Sequence, residues 1–237
     1  MNYSSGGFFM FKISFLFSFL LPLVLSGCVA GNLADNPALP LTKVNVAEQK
    51  LDGTHIYWYL SRQNAPERLG ERVYSTKQGD YQSDYQWQSG KLKTLLQQGE
   101  RLVDGQQVPF ELQLRFDSQG VAVYQRYTED GQILPLTIDE IAELKQHSEY
   151  LVQRIERLKK SKQYFEQGYK QQQQLISCQT QQPMAIDDPN VLSVFDPSGY
   201  WAAIGKQKNG KLRINKLLPD VVSGTCLQAP TLIDTKQ

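Results

Sequence analysis

An α+β fold is predicted by three features of the sequence. Apolar and polar residues alternate with period two over 51–136, recur at helical spacing over 137–173, and return to strand patterning around a tight turn in 174–237. The expectation is an antiparallel β-meander of about five or six strands, one long amphipathic helix, and a C-terminal β-hairpin lobe. The span 51–237 is long enough to bury one core and reads as one domain.

The first strand of the meander is His55 to Leu60 (HIYWYL), broken from the rest by a polar loop through Pro66. Tyr81, Ser83, Tyr85 and Trp87 share one face of another strand, with Gln82, Asp84, Gln86 and Gln88 on the other. Val108, Phe110, Leu112, Leu114 and Phe116 alternate with Glu111, Gln113 and Arg115, a pattern with one dry and one wet side. Turns fall at Ser89-Gly90, Asp104-Gly105, Asp117 to Gly120 and Asp130-Gly131. The Asp-Gly pairs suit type I′ hairpins, which need positive φ at both central residues.

At Leu136 the period changes. Thr137-Ile138-Asp139-Glu140 matches a capping box, which satisfies free amides at a helix start. Ile141, Leu144, Leu151, Ile155, Leu158, Phe165 and Tyr169 then follow at helical spacing, so the helix is expected to run to about Gln172, weakened near its end by Gly168. Such a helix would be about 50 Å long. Beyond the glutamine run Gln171 to Gln174, strands at Gly199 to Gln207 and Lys211 to Leu217 flank Asn209-Gly210. Asp187 to Asn190 and Asp196 to Gly199 read as turns.

The N-terminal segment has a different character. Ile13 to Leu25 carries no charge and follows Lys12, and at thirteen residues it matches a signal-peptide core rather than a membrane span. Met10-Phe11-Lys12 would itself open a compact signal peptide. Leu25-Ser26-Gly27-Cys28 looks like a bacterial lipobox: a thiol to alkylate, with small neighbours that let the processing enzymes reach it. The expected division is a signal peptide over 1–27, cleavage between Gly27 and Cys28, and a tether over 28–50 fixed to the membrane by acyl chains on Cys28. Two chains anchor stably where one does not. Residue 29 is Val and not Asp, which by resemblance to lipoprotein sorting rules favours the outer membrane, with the body facing the periplasm.

Composition narrows the function. With 25 Lys+Arg against 24 Asp+Glu there is no global field to recruit nucleic acid. Once Cys28 is set aside, Cys178 and Cys226 form an even pair in an oxidising compartment, and a disulfide is expected, with two buried free thiols as the alternative. No P-loop, dinucleotide fingerprint, HExxH, EF-hand loop or Gly-x-Ser-x-Gly elbow occurs, so no catalytic residue, metal or cofactor is assigned. The two histidines read as outward-facing (His55) and solvated on the helix (His147). Asp84, Glu111, Glu129 and Asp130 could in principle supply a glycosidase pair, though surface charge is the default, and Asp187-Asp188 lacks a third ligand for calcium. Two groups could bind: aromatics including Tyr57, Trp58, Tyr59, Tyr81, Tyr85 and Trp87, and a basic helix stretch including Arg154, Arg157 and Lys160. Core packing and a solvated face are their plainer roles.

With the lipobox, HIYWYL, DYQWQSGKLK (Asp84 to Lys93), VPFELQLRFDSQGVAVYQRY (Val108 to Tyr127) and ILPL (Ile133 to Leu136), the chain resembles the YjaH-like uncharacterised lipoproteins of enteric bacteria and vibrios. The resemblance covers about half of the chain after the signal, mostly the meander. It implies a Gram-negative envelope and supplies no activity. The resulting expectation is a non-catalytic binding or accessory protein whose partner is an envelope protein, glycan or lipid. A carrier of a small apolar or glycan ligand in the curved sheet is the alternative, and a hydrolase of peptidoglycan or lipid is a third.

Overall fold

The computed structural model describes residues 39–194, 199–221 and 225–235. The lipobox with Gly27 and Cys28, the signal segment, and Asp196 to Ser198 of the expected turn lie outside the described residues.

Alternating side chains and tight turns build a run of eight antiparallel strands: Leu41–Gln49 (β1), Thr54–Arg62 (β2), Ala65–Tyr74 (β3), Tyr81–Gln88 (β4), Lys91–Val103 (β5), Gln106–Phe116 (β6), Ala122–Glu129 (β7) and Gln132–Leu134 (β8). Each pairs with the next. Ser89-Gly90, Asp104-Gly105 and Asp130-Gly131 close their hairpins with positive φ at both residues, as expected. Ile138–Lys160 (α1) follows, capped by Thr137 through the expected box with Glu140. Next come Tyr164–Gln171 (β9), Gln174–Ser177 (β10), Pro183–Met184 (β11), a 3-10 turn at Pro189–Val194, and the hairpin Tyr200–Lys208 (β12) and Lys211–Leu217 (β13) turning at Asn209-Gly210. A short helix, Leu232–Thr235 (α2), closes the described chain.

The expected fold class is corrected by this topology. In place of a five- or six-stranded meander with a separate hairpin lobe, the described residues form 13 strands in one hydrogen-bonded antiparallel sheet, with one long helix on it. Three local differences account for β1, β3 and β9. The expected tether gives way at Leu41 to β1, whose register with β2 runs from Leu41↔Arg62 to Gln49↔Thr54. The loop through Pro66 is strand β3, entered by a two-residue turn in which Gln63 and Asn64 both take positive φ without any glycine. Pro66 sits where the β2–β3 register shifts, a place that tolerates a missing N–H.

The helix also ends earlier than expected. Ser161 Oγ donates to the carbonyls of Arg157 and Leu158, and Lys162 takes φ 56°, which turns the chain out of the helix. Phe165 and Tyr169 therefore belong to β9. There Gly168 packs so closely that an added Cβ would meet Ile176 O at 1.9 Å, a contact a strand neighbour creates and a helix would not.

Two apolar layers hold the sheet between them. On the inner face, Val46, Tyr57, Leu69, Tyr85, Leu95 and Leu114 join Leu151, Ile155 and Leu158 of α1 in the main core. The helix crosses this face from the β6–β7 turn, where Lys145 Nζ donates to Gly120 O, to β1, where Arg154 binds Glu48. On the outer face, Ala47 and Ile56 pack on Phe165, Ala202, Ile204, Leu218 and Leu227 from the C-terminal part. One bridge, Val46↔Tyr164, joins β1 to β9.

Residues 226–235 form a strap over the outer face. Cys226 is disulfide-bonded to Cys178 just after β10, as expected. The Gln167 side chain donates to Leu227 O and accepts from Leu227 N–H, both at 2.8 Å, imitating a rung of strand pairing. Further on, Leu232 and Ile233 pack on Leu96, and the wholly buried Asp84 accepts Ile233 N–H at 3.1 Å while also binding Arg68.

Two stability outcomes follow. Leu151→Ala should cost about 2–5 kcal/mol by denaturant titration, since its side chain is fully buried under the sheet. Replacing Cys178 and Cys226 together by Ser should cost about 4 kcal/mol on the chain-entropy account of a 48-residue separation, read as the shift between oxidised wild type and variant.

Candidate functional site

At one end of the inner face the strands place charge where the pattern calls for apolar residues. Val44, Val46 and Glu48 point inward from β1, and Leu69, Glu71 and Val73 from β3. A carboxylate in such a position must be hydrogen-bonded or neutralised to remain buried. Both are engaged. Arg154 reaches from α1 to Glu48 through Nε at 2.7 Å and Nη2 at 2.6 Å, Tyr57 OH donates to Glu48 at 3.1 Å, and Lys50 Nζ lies 3.4 Å away. Burial alone would raise the Glu48 carboxyl, but the Arg154 bond and the Lys50 and Arg154 charges outweigh it and hold the group below the ordinary carboxylate range.

Among the described residues Glu71 has no arginine or lysine partner. Its side chain is fully buried, with Tyr85 OH donating at 3.3 Å and His55 Nδ1 at 3.3 Å. His55 lies between two acids, since its Nε2 faces Asp52 at 3.5 Å and makes no hydrogen bond. Burial, followed by the Glu71 charge, pushes the hydroxyls of Tyr57, Tyr81 and Tyr85 far above their ordinary value, so all three stay neutral, and Tyr57 and Tyr85 donate to the acids. Gln97 completes the set, donating to Ser83 Oγ at 3.0 Å.

This network borders a cleft of about 450 Å³ between α1 and the ends of β3 to β6. Tyr81 and Gln97 belong to both. The cleft is walled by Leu102, Val103, Phe110 and Leu144, with Lys77 and Arg101 at its edge. Arg101 lies over the Phe110 ring at 5.0 Å and is paired with Glu129 at 3.0 Å. His147 lines the same cleft, and burial lowers its pKa, with Glu71 acting in the opposite sense. Polar groups at one end and apolar walls along the sides suit a small ligand with a polar head and an apolar body.

The structure sorts the candidates read from the sequence. Tyr57, Tyr85 and Arg154 meet in the network. Tyr59 and Trp87 are buried in the main core, Trp87 stacked beside Tyr85 at 5.9 Å, while Arg157 and Lys160 stand exposed at the end of α1. His55 is corrected from outward-facing to 4% exposed on the inner face, because it shares that face with Tyr57 and Tyr59. His147 is half-buried in the cleft and not solvated. Asp84 is buried, not a surface charge, and it and Glu129 are tied to different arginines. Glu48, Lys50 and Glu71 escaped the sequence reading because β1 and β3 did. Their signal was a charge at every-second-residue spacing among valines and leucines. No group of three or more metal-ligating side chains occurs among the described residues.

A family model described as a protein of unknown function, DUF1481, matches residues 48–194, a span that begins at Glu48 and contains the whole network. No curated protein and no solved structure matches.

The pH dependence of stability tests the Glu48 bond. Its folded pKa lies below the unfolded value, so its contribution is present above about pH 4.5 and is lost as pH falls through the folded value. Arg154→Gln should destabilise by on the order of 1 kcal/mol at pH 7, given the half-exposed arginine, and by less at acid pH, measured by urea denaturation across pH.

Proposed function

The chain belongs to the DUF1481 family, and we propose that it is a lipid-anchored, non-catalytic binding protein of the Gram-negative envelope that takes a small amphipathic ligand into the cleft beside α1. The observation that carries the binding reading is Glu71. A fully buried carboxylate held, among the described residues, by two long contacts from Tyr85 and His55 is a poor choice for stability, where an apolar residue would pack more favourably. Such local departures from good packing concentrate at sites that serve a ligand. Tyr81 and Gln97 line the cleft, Gln97 also bonding Ser83 in the network, and Phe110 and Leu144 supply apolar walls for the remainder of the ligand.

The anchoring part of the proposal rests on the lipobox Leu25 to Cys28. The Cys178–Cys226 disulfide supports it, since such bonds persist in oxidising compartments such as the periplasm. Membrane attachment through Cys28 would hold the folded body at the periplasmic face of the outer membrane, where an envelope lipid or glycan fragment is within reach.

Labelled palmitate should enter the wild-type chain and not Cys28→Ser, and the label's absence from wild type would remove the anchor. Native mass spectrometry of the full chain extracted in mild detergent should find a bound molecule other than detergent. Gln97→Leu and Leu144→Asp should each reduce its occupancy at least fivefold. A bare polypeptide mass in every preparation would overturn the binding reading.

A further inference from the structure

The opposite face of the sheet holds a second cleft, of about 380 Å³, between β1 to β3, β9 and the C-terminal strap. From its construction we infer that it binds a neutral saccharide unit, with Trp58 as the stacking surface and Asn45, Lys43 and Glu166 as the groups that read hydroxyls. The inference is independent of the cleft beside α1, which shares no residue with it.

The walls are fixed before any ligand arrives. Trp58 meets Phe165 edge-on at 5.9 Å with an interplanar angle of 76°, so the indole plane is set by its neighbour. The roof, Leu227 to Pro230, is held at one end by the disulfide and the Gln167 clamp. Further along, Pro230 rests on Gly70, where an added Cβ would lie 2.7 Å from Pro230 Cδ. Tyr200 OH holds Gln167 in place with a bond of 2.8 Å. A site assembled in advance loses little entropy on binding, which matters for a ligand as strongly hydrated as a sugar. Its volume lies within the range of about 300–1,000 Å³ common for small-molecule sites.

The charges select against an anionic ligand. Arg68 is engaged by Asp84 at 2.7 Å and Asp234 at 2.9 Å, so its charge is held by two acids and is not offered to a ligand. That leaves Lys43 and Glu166, of opposite sign, which balance each other. Burial raises the Glu166 carboxyl above its ordinary value, and its side-chain bond to Gln207 leaves acceptor capacity to spare. A carboxyl, an amide and an ammonium beside a half-buried indole offer acceptors and donors around one flat apolar surface. A sugar ring presents the complement: hydroxyls around its rim, with C–H groups on its face.

Titration calorimetry of the full chain with chitotriose and with maltotriose tests the inference. Saturable binding of at least one is expected, weakened at least tenfold by Asn45→Ala and by Glu166→Gln while the melting temperature stays at the wild-type value. Trp58→Phe should keep partial affinity, because a smaller aromatic face remains. No heat from either probe at millimolar concentration would overturn it. So would binding that both polar variants leave unchanged, or tighter binding of a polygalacturonate trimer than of the neutral probes.

Discussion

One helix has to cover the inner face of an eight-stranded run, and most of the molecule's features follow from that demand. The apolar stripe of α1 runs through Ile141, Leu144, Leu151, Ile155 and Leu158, which is enough to bury the centre of the sheet. Between Leu144 and Leu151 the stripe position is held by Ser148, fully buried and turned back to Lys145 O. Along this helix lie the ion pair to Glu48 and the cleft that Leu144 and His147 line. A helix with an unbroken apolar stripe and a sheet with an unbroken apolar face would have left neither. Polar chemistry enters this core where its cover thins.

The outer face meets the same demand by different means. No second long helix is present among the described residues, and β9, the β12–β13 hairpin and the strap supply the apolar surface instead. Several of these contacts join residues distant in sequence through side chains acting as backbone: the Gln167 amide for Leu227, and the Asp84 carboxylate for Ile233. The disulfide fixes the strap's start to the end of β10, so the cover depends on a covalent bond as well as on packing.

Much of this was legible in the residues, and the failures have definite causes. Four glycine-containing turns and the capping box read correctly because each needs a particular residue type at a particular backbone angle. The turn at Gln63-Asn64 carries no such mark, and with it β3 was lost along with Glu71. Phe165 and Tyr169 stand four apart, which suits a helix face, yet both lie beyond the chain's exit from the helix at Lys162. Only the partner strands β10 and β12 decide their conformation, and periodicity in one segment carries no information about partners. The network's location was hidden for the same reason: its acids are recognisable as inward-facing only once register is known.

The Asp84 contact has a consequence for the order in which the chain can fold. Its carboxylate and the Ile233 amide are 149 residues apart, whereas the hairpins around it close locally. Neighbouring strands can therefore form early, but the aspartate stays hydrated until the far end of the polypeptide arrives to accept it. Completion of the sheet's outer side thus waits on a contact that closes 149 residues of chain.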